Sequence, residues 1–562
     1  MDTLKRLLID IYGDTDGSAV FSRIKNKVDE FAAEKRTAQG KWTEKDTILI
    51  TYGDSMMQEN HVPLQTLNRF LNAHLKDIFS TIHILPFYPF SSDDGFSVTD
   101  FFSVDPHLGS WEDVDELTTH FNLMADFVLN HVSAQSDWFG NYLNGEKGFE
   151  HLAIEADPSR DLSHVTRPRA LPLLSPFRKT SGDTVHVWTT FSADQIDVNY
   201  RSTDVLEKMI DVMLHYVRHG AKILRLDAIA YLFKKIGTPC VHLKETHDMV
   251  KIFRRILDNA APGTLILTET NVPHEENIRY FGDGTDEAHM VYNFTLPPLL
   301  LYTLVKEDAT LLSAWVKTLR LPSSTTTFFN FTASHDGIGV RPLEGILSPE
   351  DIAHLSDLVR QNGGRVSYKR NPDGTESPYE LNITYVDALK KPGQETDPFH
   401  ARRFLASQAI QYVLPGIPAT YIHSILGSRN WEAGVEQTGM NRTINREKLS
   451  FDAVVKALDD PRSFRSAVFY PYVKMINIRQ AQPAFHPNAS FSVLDLDSRV
   501  FAVQRTRNGK TIIALTNISG QPVSVTLPQM ESTHVKDLIS GEMFNKNAVH
   551  LVPYRFAWLV PE

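Results

Sequence analysis

Between Thr47 and Ile422, short apolar runs alternate with longer stretches of helical period. The runs are Thr47–Tyr52, Thr81–Leu85, Leu123–Leu129, Ala221–Leu226, Thr264–Thr268, Met290–Phe294, Thr327–Phe331 and Ile417–Ile422. Several are apolar at consecutive positions, the pattern of parallel strands buried on both faces. Eight such runs with helices between them predict a (β/α)8 TIM barrel, whose functional residues gather at the strand C-termini and in the loops that follow. Within this pattern Ala221-Lys-Ile-Leu-Arg-Leu-Asp227 stands out, because the run ends on charge. Arg225 and Asp227 are two residues apart and share a strand face. The pair reads either as a structural ion pair or as an ionised nucleophile held by Arg225 at the barrel mouth.

Outside the barrel the pattern changes. Residues 1–45 form a charged helical lead-in, exemplified by Ala19-Val-Phe-Ser-Arg-Ile-Lys-Asn-Lys-Val28. Residues 132–200, rich in Pro, Arg and Ser, are too long for a simple loop and predict an inserted domain after the third strand. Residues 338–398, with the turn cluster Asn371-Pro-Asp-Gly-Thr, predict a second insertion after the seventh. This leaves 46–131 and 201–484 for the barrel. Residues 485–562 read as a C-terminal antiparallel β domain, with strands at Val500–Gln504, Thr511–Thr516 and Val523–Leu527.

The chain has 562 residues and a net charge of −11, and it carries no long Lys/Arg run. Nucleic acid and membrane surfaces are therefore not predicted partners, and an anionic substrate would need a local basic patch. The single cysteine, Cys240, excludes an internal disulfide. The N-terminal segment lacks signal-peptide features and no apolar run is long enough for a membrane helix, so the cytoplasm is the predicted location. The sequence leaves the oligomeric state open between monomer and homodimer.

Four strand ends carry polar chemistry: Leu123-Met-Ala-Asp-Phe-Val-Leu-Asn-His131, Arg225-Leu-Asp227, Leu265-Ile-Leu-Thr-Glu269 and Thr332-Ala-Ser-His335-Asp336. Two carboxyl groups flanking one bond are what glycosidic chemistry requires. Asp227 would be the nucleophile, kept ionised by Arg225. Glu269, ending an apolar strand, would be the general acid/base, its pKa raised by burial. Asp336 would hold sugar hydroxyls and stabilise the transition state, while His131 and His335 would donate hydrogen bonds to the sugar.

Together these four segments resemble the signature regions of the α-amylase family of retaining α-glucoside enzymes. The resemblance implies the same barrel, with a domain inserted after strand three and a C-terminal β domain. A narrower resemblance is to the sucrose-phosphorylase branch. Ile84-Leu-Pro-Phe-Tyr-Pro-Phe-Ser-Ser-Asp-Asp-Gly-Phe96 is similar to its donor-binding loop, which implies that Asp93 holds a glucose hydroxyl and Phe96 packs on the ring. Asn441-Arg-Thr-Ile-Asn-Arg446 resembles the segment whose first arginine partners that aspartate, here Arg442. Phe191-Ser-Ala-Asp-Gln195 resembles a water-excluding segment, with Gln195 facing the glucose, and Tyr231 matches an aromatic beside the nucleophile.

Phosphate as acceptor requires cations. Arg167-Pro-Arg169 reads alone as a solvated basic turn, whereas the resemblance puts Arg169 in the phosphate and acceptor site, where a guanidinium fork suits an oxyanion. It adds Tyr379 there. The next residue is typically glutamine in sucrose phosphorylases but is Glu380 here. Ser377-Pro-Tyr-Glu-Leu-Asn-Ile-Thr384 is instead similar to the glucosylglycerate and glucosylglycerol phosphorylases of the branch. Glu376 and Glu380 would repel a carboxylate and favour glycerol slightly; Arg167, Lys369 and Arg370 could offset this.

The implied activity is a retaining phosphorylase that releases α-D-glucose 1-phosphate and a small polyol or sugar acid, through a β-glucosyl-Asp intermediate. The substrates would be an α-glucoside and inorganic phosphate, with no cofactor and no metal. Sucrose or sucrose 6′-phosphate phosphorylase, α-glucosidase or glucosyl transferase, and a non-catalytic sugar-binding protein are the alternatives.

Overall fold

A computed structural model describes the chain except residues 33–41, 169–170, 372–374, 395 and 529–531. All eight apolar runs are strands: β1 (Ile48–Thr51), β2 (Thr81–Ile84), β3 (Asn122–Phe127), β4 (Ala221–Leu226), β5 (Leu265–Thr268), β6 (Met290–Tyr292), β7 (Thr327–Asn330) and β8 (Ile417–Tyr421). Each pairs in parallel with its sequence neighbours, and β8 closes on β1. The strands are almost wholly buried, which explains their unbroken apolar character. The molecule is a TIM barrel with a C-terminal β domain.

β3 ends two residues earlier than its apolar run. Val128 to Asn130 leave the barrel, and His131–Ser133 forms a separate antiparallel pair with Gln195–Asp197. That pair ties both ends of the segment after β3 to the barrel mouth. Between them lies the hairpin Leu174–Arg178 with Thr184–Trp188. After β7, a three-stranded antiparallel sheet is built from Ile338–Gly339, Arg365–Arg370 and Glu376–Asn382, flanked by the helix Pro349–Gln361.

The first helix, α1 (Asp2–Ala32), breaks its regular geometry at Gly13, whose φ is 81°. Its buried stripe, including Leu4, Leu8, Val20, Ile24, Val28 and Phe31, packs on the helices Thr203–Arg218 and Lys244–Ala260. These two helices precede β4 and β5. The lead-in thus braces the two units that carry Asp227 and Glu269.

Among the described residues the C-terminal sheet has six antiparallel strands, with Val500–Arg507 and Lys510–Asn517 second and third in order. These strands run longer than the apolar pattern predicts. The reason is the turn between them: Asn508 and Gly509 both have positive φ (52° and 73°), a conformation that continues the pairing right up to the turn. Val523–Val525 leaves this sheet and pairs with Val549–Leu551.

Candidate active site

Arg225 closes β4 beside Asp126 of β3, its register partner. One guanidinium nitrogen ion-pairs with Asp126 and also donates to Asp227 Oδ1 at 2.7 Å. A second lies 4.0 Å from Glu269 Oε2, and Nε donates to the Tyr292 hydroxyl at 3.2 Å. Asp126 also meets His83 Nε2 of β2 at 2.7 Å. The sequence reading gave Arg225 a single carboxylate. It has two, and the fully buried Asp126 anchors it from below.

Asp227 and Glu269 follow directly on neighbouring strands. Thr268 pairs with Leu226, and the Glu269 N–H donates to the Leu226 carbonyl at 3.2 Å. Their carboxyl groups therefore face one cavity, and their environments differ. Burial raises the pKa of Asp227, opposed by the adjacent Arg225 charge. Burial also raises Glu269, to about 7; Arg225 opposes this from further away, and the charges of Asp227 and Asp336 reinforce it. The Arg225 contact at 2.7 Å thus favours the charge on Asp227, and Glu269, raised to about 7, keeps its proton below neutral pH. Such an arrangement can supply a nucleophile and a general acid at once.

Asp336 follows β7 and sits well below the usual carboxylate range. Burial opposes that shift, but the Arg442 guanidinium at 2.6 Å outweighs it. Burial lowers His335 to about 3, so its ring is neutral; it stacks on Phe96 with centroids 4.8 Å apart. Phe96 is held in turn by His131, whose Nε2 donates to its carbonyl at 2.9 Å. Gln195 Nε2 donates to Asp93 Oδ2 at 3.2 Å.

The cavity is lined by all of these groups: Asp93, Phe96, His131, Gln195, Arg225, Asp227, Tyr231, Glu269, His335, Asp336, Tyr379, Glu380 and Arg442. Arg169 lies outside the described residues. Two contacts differ from the sequence reading. The Arg442 guanidinium does not partner Asp93 alone: it pairs with Asp336 and Glu380, and the Asp93 charge adds to its field. Glu380 is not an open acidic group. It accepts from Arg442 and, at 2.7 Å, from the Gly337 N–H. A Cβ at Gly337 would lie 2.6 Å from Glu380 Cγ, so only glycine allows this approach. Glu376 is exposed at the start of its strand. The electrostatic argument for glycerol over glycerate is weakened, since Glu380 is paired with Arg442 and not open to the cavity alone.

Other contributors escaped the sequence reading. The carboxylate of Asp194 accepts from Ser91 at 2.6 Å and from Ser133 at 3.3 Å, tying the segment after β3 to the donor loop. Arg446 donates to the His335 carbonyl at 2.8 Å and ion-pairs with Asp94. Serine clusters and a second arginine in Asn441–Arg446 were visible, but long-range partners are not encoded in local pattern. Among the described residues, no group of three or more His, Cys, Asp and Glu is placed to hold a metal ion. No described helix is long and apolar enough to cross a membrane.

Residues 73–336 match the α-amylase catalytic domain, and residues 491–558 match the maltogenic amylase C-terminal domain. A glucosylglycerate phosphorylase of Escherichia coli (strain K12) is 46% identical over 98% of this chain and 98% of its own. One from Spirochaeta thermophila is 44% identical over 100% of this chain and 99% of its own. The crystal structure of sucrose 6F-phosphate phosphorylase from Thermoanaerobacter thermosaccharolyticum superposes with a TM-score of 0.75 at 26% identity, covering 91% of this chain and 98% of that one. With the carboxylate constellation and the barrel in place, these similarities assign the chain to the α-amylase family, within its sucrose-phosphorylase branch.

Proposed function

We propose that the protein is a retaining α-glucoside phosphorylase acting on 2-O-α-glucosylglycerate. The observation that carries the mechanism is the asymmetry between Asp227, 2.7 Å from Arg225, and Glu269, raised to about 7. An Asp227 carboxylate oxygen attacks the anomeric carbon while Glu269 protonates the departing glycerate oxygen, giving a β-glucosyl-Asp intermediate and free glycerate. A phosphate oxygen then attacks the same carbon, the Asp227 carboxylate leaves, and Glu269 takes up the proton that the entering phosphate gives up. The two inversions yield α-D-glucose 1-phosphate. Asp336 stabilises the charge that develops at the sugar.

Asp93, Phe96, His131, Gln195, His335 and Arg442 serve as the glucose clamp, with Arg225 and Tyr231 shaping the nucleophile's surroundings. Arg169, Tyr379 and Glu380 belong to the acceptor side, Glu380 by fixing Arg442. Phosphate and glycerate as small-molecule partners are supported by the similarity to glucosylglycerate phosphorylases along essentially the whole chain. The pairing of Glu380 with Arg442 reduces the electrostatic objection to glycerate.

The test is to incubate the protein with 2-O-α-glucosylglycerate with and without phosphate and to follow products by anomer-resolved NMR. Phosphate-dependent α-D-glucose 1-phosphate is the expected product. Free glucose released at the same rate without phosphate, with no glucose 1-phosphate when phosphate is present, would sink the proposal.

A further inference from the structure

One buried ion pair beside the cavity has no part in the chemistry described so far. Lys234 lies in the loop after β4, the loop that opens with Asp227. Its side chain is 2% exposed, and its ammonium pairs with the carboxylate of Asp197, which is completely buried. Burying two charges is costly unless their remaining hydrogen bonds are made. Here they are. Asp197 accepts from the Thr190 N–H at 2.9 Å and from the Thr190 hydroxyl at 2.6 Å. Its charge opposes the lowering that burial imposes on Lys234.

Lys234 Nζ also donates to Asn130 Oδ1 at 2.8 Å. An ammonium has donors only, so it can meet only the oxygen end of that amide. The nitrogen end is thereby turned toward Asp197 Oδ2 at 3.4 Å and toward His131 Nδ1 at 3.2 Å. The reversed amide would set N–H groups against the ammonium and an oxygen against the carboxylate. Asn130 Nδ2 can only donate, so His131 Nδ1 must accept, and the ring hydrogen belongs on Nε2. There it donates to the Phe96 carbonyl at 2.9 Å, and His131 and Phe96 both line the cavity. Three separate segments meet in this network: the exit from β3, the segment inserted after it, and the loop after β4.

We propose that Lys234 is a positioning residue that acts through the Asn130 amide to fix His131 as the tautomer with its hydrogen on Nε2, the form that offers the glucose clamp a donor. The assignment rests on the reading of His131 as part of that clamp. It ties the loop that carries the nucleophile to the side chain that meets the sugar. It also accounts for a buried lysine that touches no cavity-lining side chain among those described except through Asn130.

The experiment reads the tautomer directly. NMR of the full chain, isotopically labelled at the histidine ring nitrogens, distinguishes the two neutral tautomers, and His131→Gln identifies the His131 signals. The wild type is expected to carry the ring hydrogen on Nε2. The double variant Lys234→Met/Asp197→Asn removes both charges together and leaves no lone charge buried. It is expected to move the hydrogen at least in part to Nδ1 and to lower kcat/KM for 2-O-α-glucosylglycerate at least tenfold. Asn130→Asp, which accepts from Lys234 but cannot donate to the ring, should place a hydrogen on Nδ1 with Lys234 intact. A wild-type ring with its hydrogen on Nδ1 would overturn the proposal without recourse to any variant. An unchanged tautomer in the folded double variant would also overturn it, by showing that Lys234 serves packing alone, as would a shifted tautomer with kcat/KM unchanged. A wild type that forms no glucose 1-phosphate from glucosylglycerate and phosphate would instead defeat the phosphorylase reading and leave the ring assignment standing.

Discussion

Glu269 lies at the end of an apolar strand with one strong cation, Arg225, 4.0 Å away. Its proton is held because burial and two neighbouring carboxylates outweigh that cation. In the proposed double displacement the glucoside reacts only in the first half-reaction, so its kcat/KM reports the ionisation of the free enzyme's acid. The sign follows directly. Glu269 must be protonated, so kcat/KM should hold up to about pH 7 and then fall about tenfold per unit as that proton is lost. Glu269→Gln should abolish the descending limb together with most of the activity toward glucosylglycerate. Initial rates from pH 5 to 9 decide the matter. A basic limb still present in Glu269→Gln would assign the ionisation to another group. The same reasoning explains Asp126. A lone buried Arg225 would be costly, and the second carboxylate offsets its desolvation while leaving Asp227 to share the cation rather than saturate it.

At the scale of the element, the loop after β2 is held by the Asp94–Arg446 ion pair together with hydrogen bonds from the segment after β3. Asp93 and Asp94 have φ values of 55° and 48°, in the left-handed region that costs an ordinary residue roughly 1–2 kcal/mol. The Asp94–Arg446 pair offsets this strain beside Asp93 and Phe96, which line the cavity. Asp94→Asn keeps a side chain that tolerates positive φ but removes the charge. Asp94 is part-exposed, so about 1 kcal/mol is at stake. The glucoside KM should therefore rise about fivefold with kcat nearly constant. Steady-state kinetics showing an unchanged KM would remove the latch from the account. This contact also marks the limit of what a reader of the sequence could see. Unbroken apolar runs located every barrel strand, because burial on both faces leaves a direct imprint on composition. The ends of β4, β5 and β7 were legible because charge interrupts that imprint at Arg225, Glu269 and Asp336. Asp94 with Arg446 and Asp194 with its serines were not, since each joins loops whose approach is set by the closed barrel. The full length of the strands Val500–Arg507 and Lys510–Asn517 could have been read from Asn508-Gly509, a strong local hairpin signal.

For the whole molecule, the central question is how the C-terminal β domain stays fixed to the barrel. Arg505, in the strand Val500–Arg507, is completely buried; it donates to the Val413 carbonyl at 2.6 Å and the His486 carbonyl at 2.7 Å. Val413 ends the helix His400–Val413, which leads into β8. Arg479 does parallel work at the end of the helix Phe464–Gln480, donating to the carbonyls of Tyr412, Glu44 and Phe485 at 3.0, 2.6 and 3.0 Å. All three nitrogens of the Arg479 guanidinium donate to backbone oxygens, and two of the Arg505 nitrogens do, while Arg505 Nε is buried without a partner. Arg505→Ala would leave two buried carbonyls unpaired and open a cavity, at a cost of roughly 2–4 kcal/mol concentrated at this junction. Calorimetry should then show the sheet melting ahead of the barrel as a separate, lower transition. Phosphorolysis at 25 °C should survive, because none of the cavity residues lies in the sheet. A single transition at the wild-type temperature would mean that the apolar contacts of Trp558 and Phe485, 4.7 Å between ring centroids, hold the junction without the arginine.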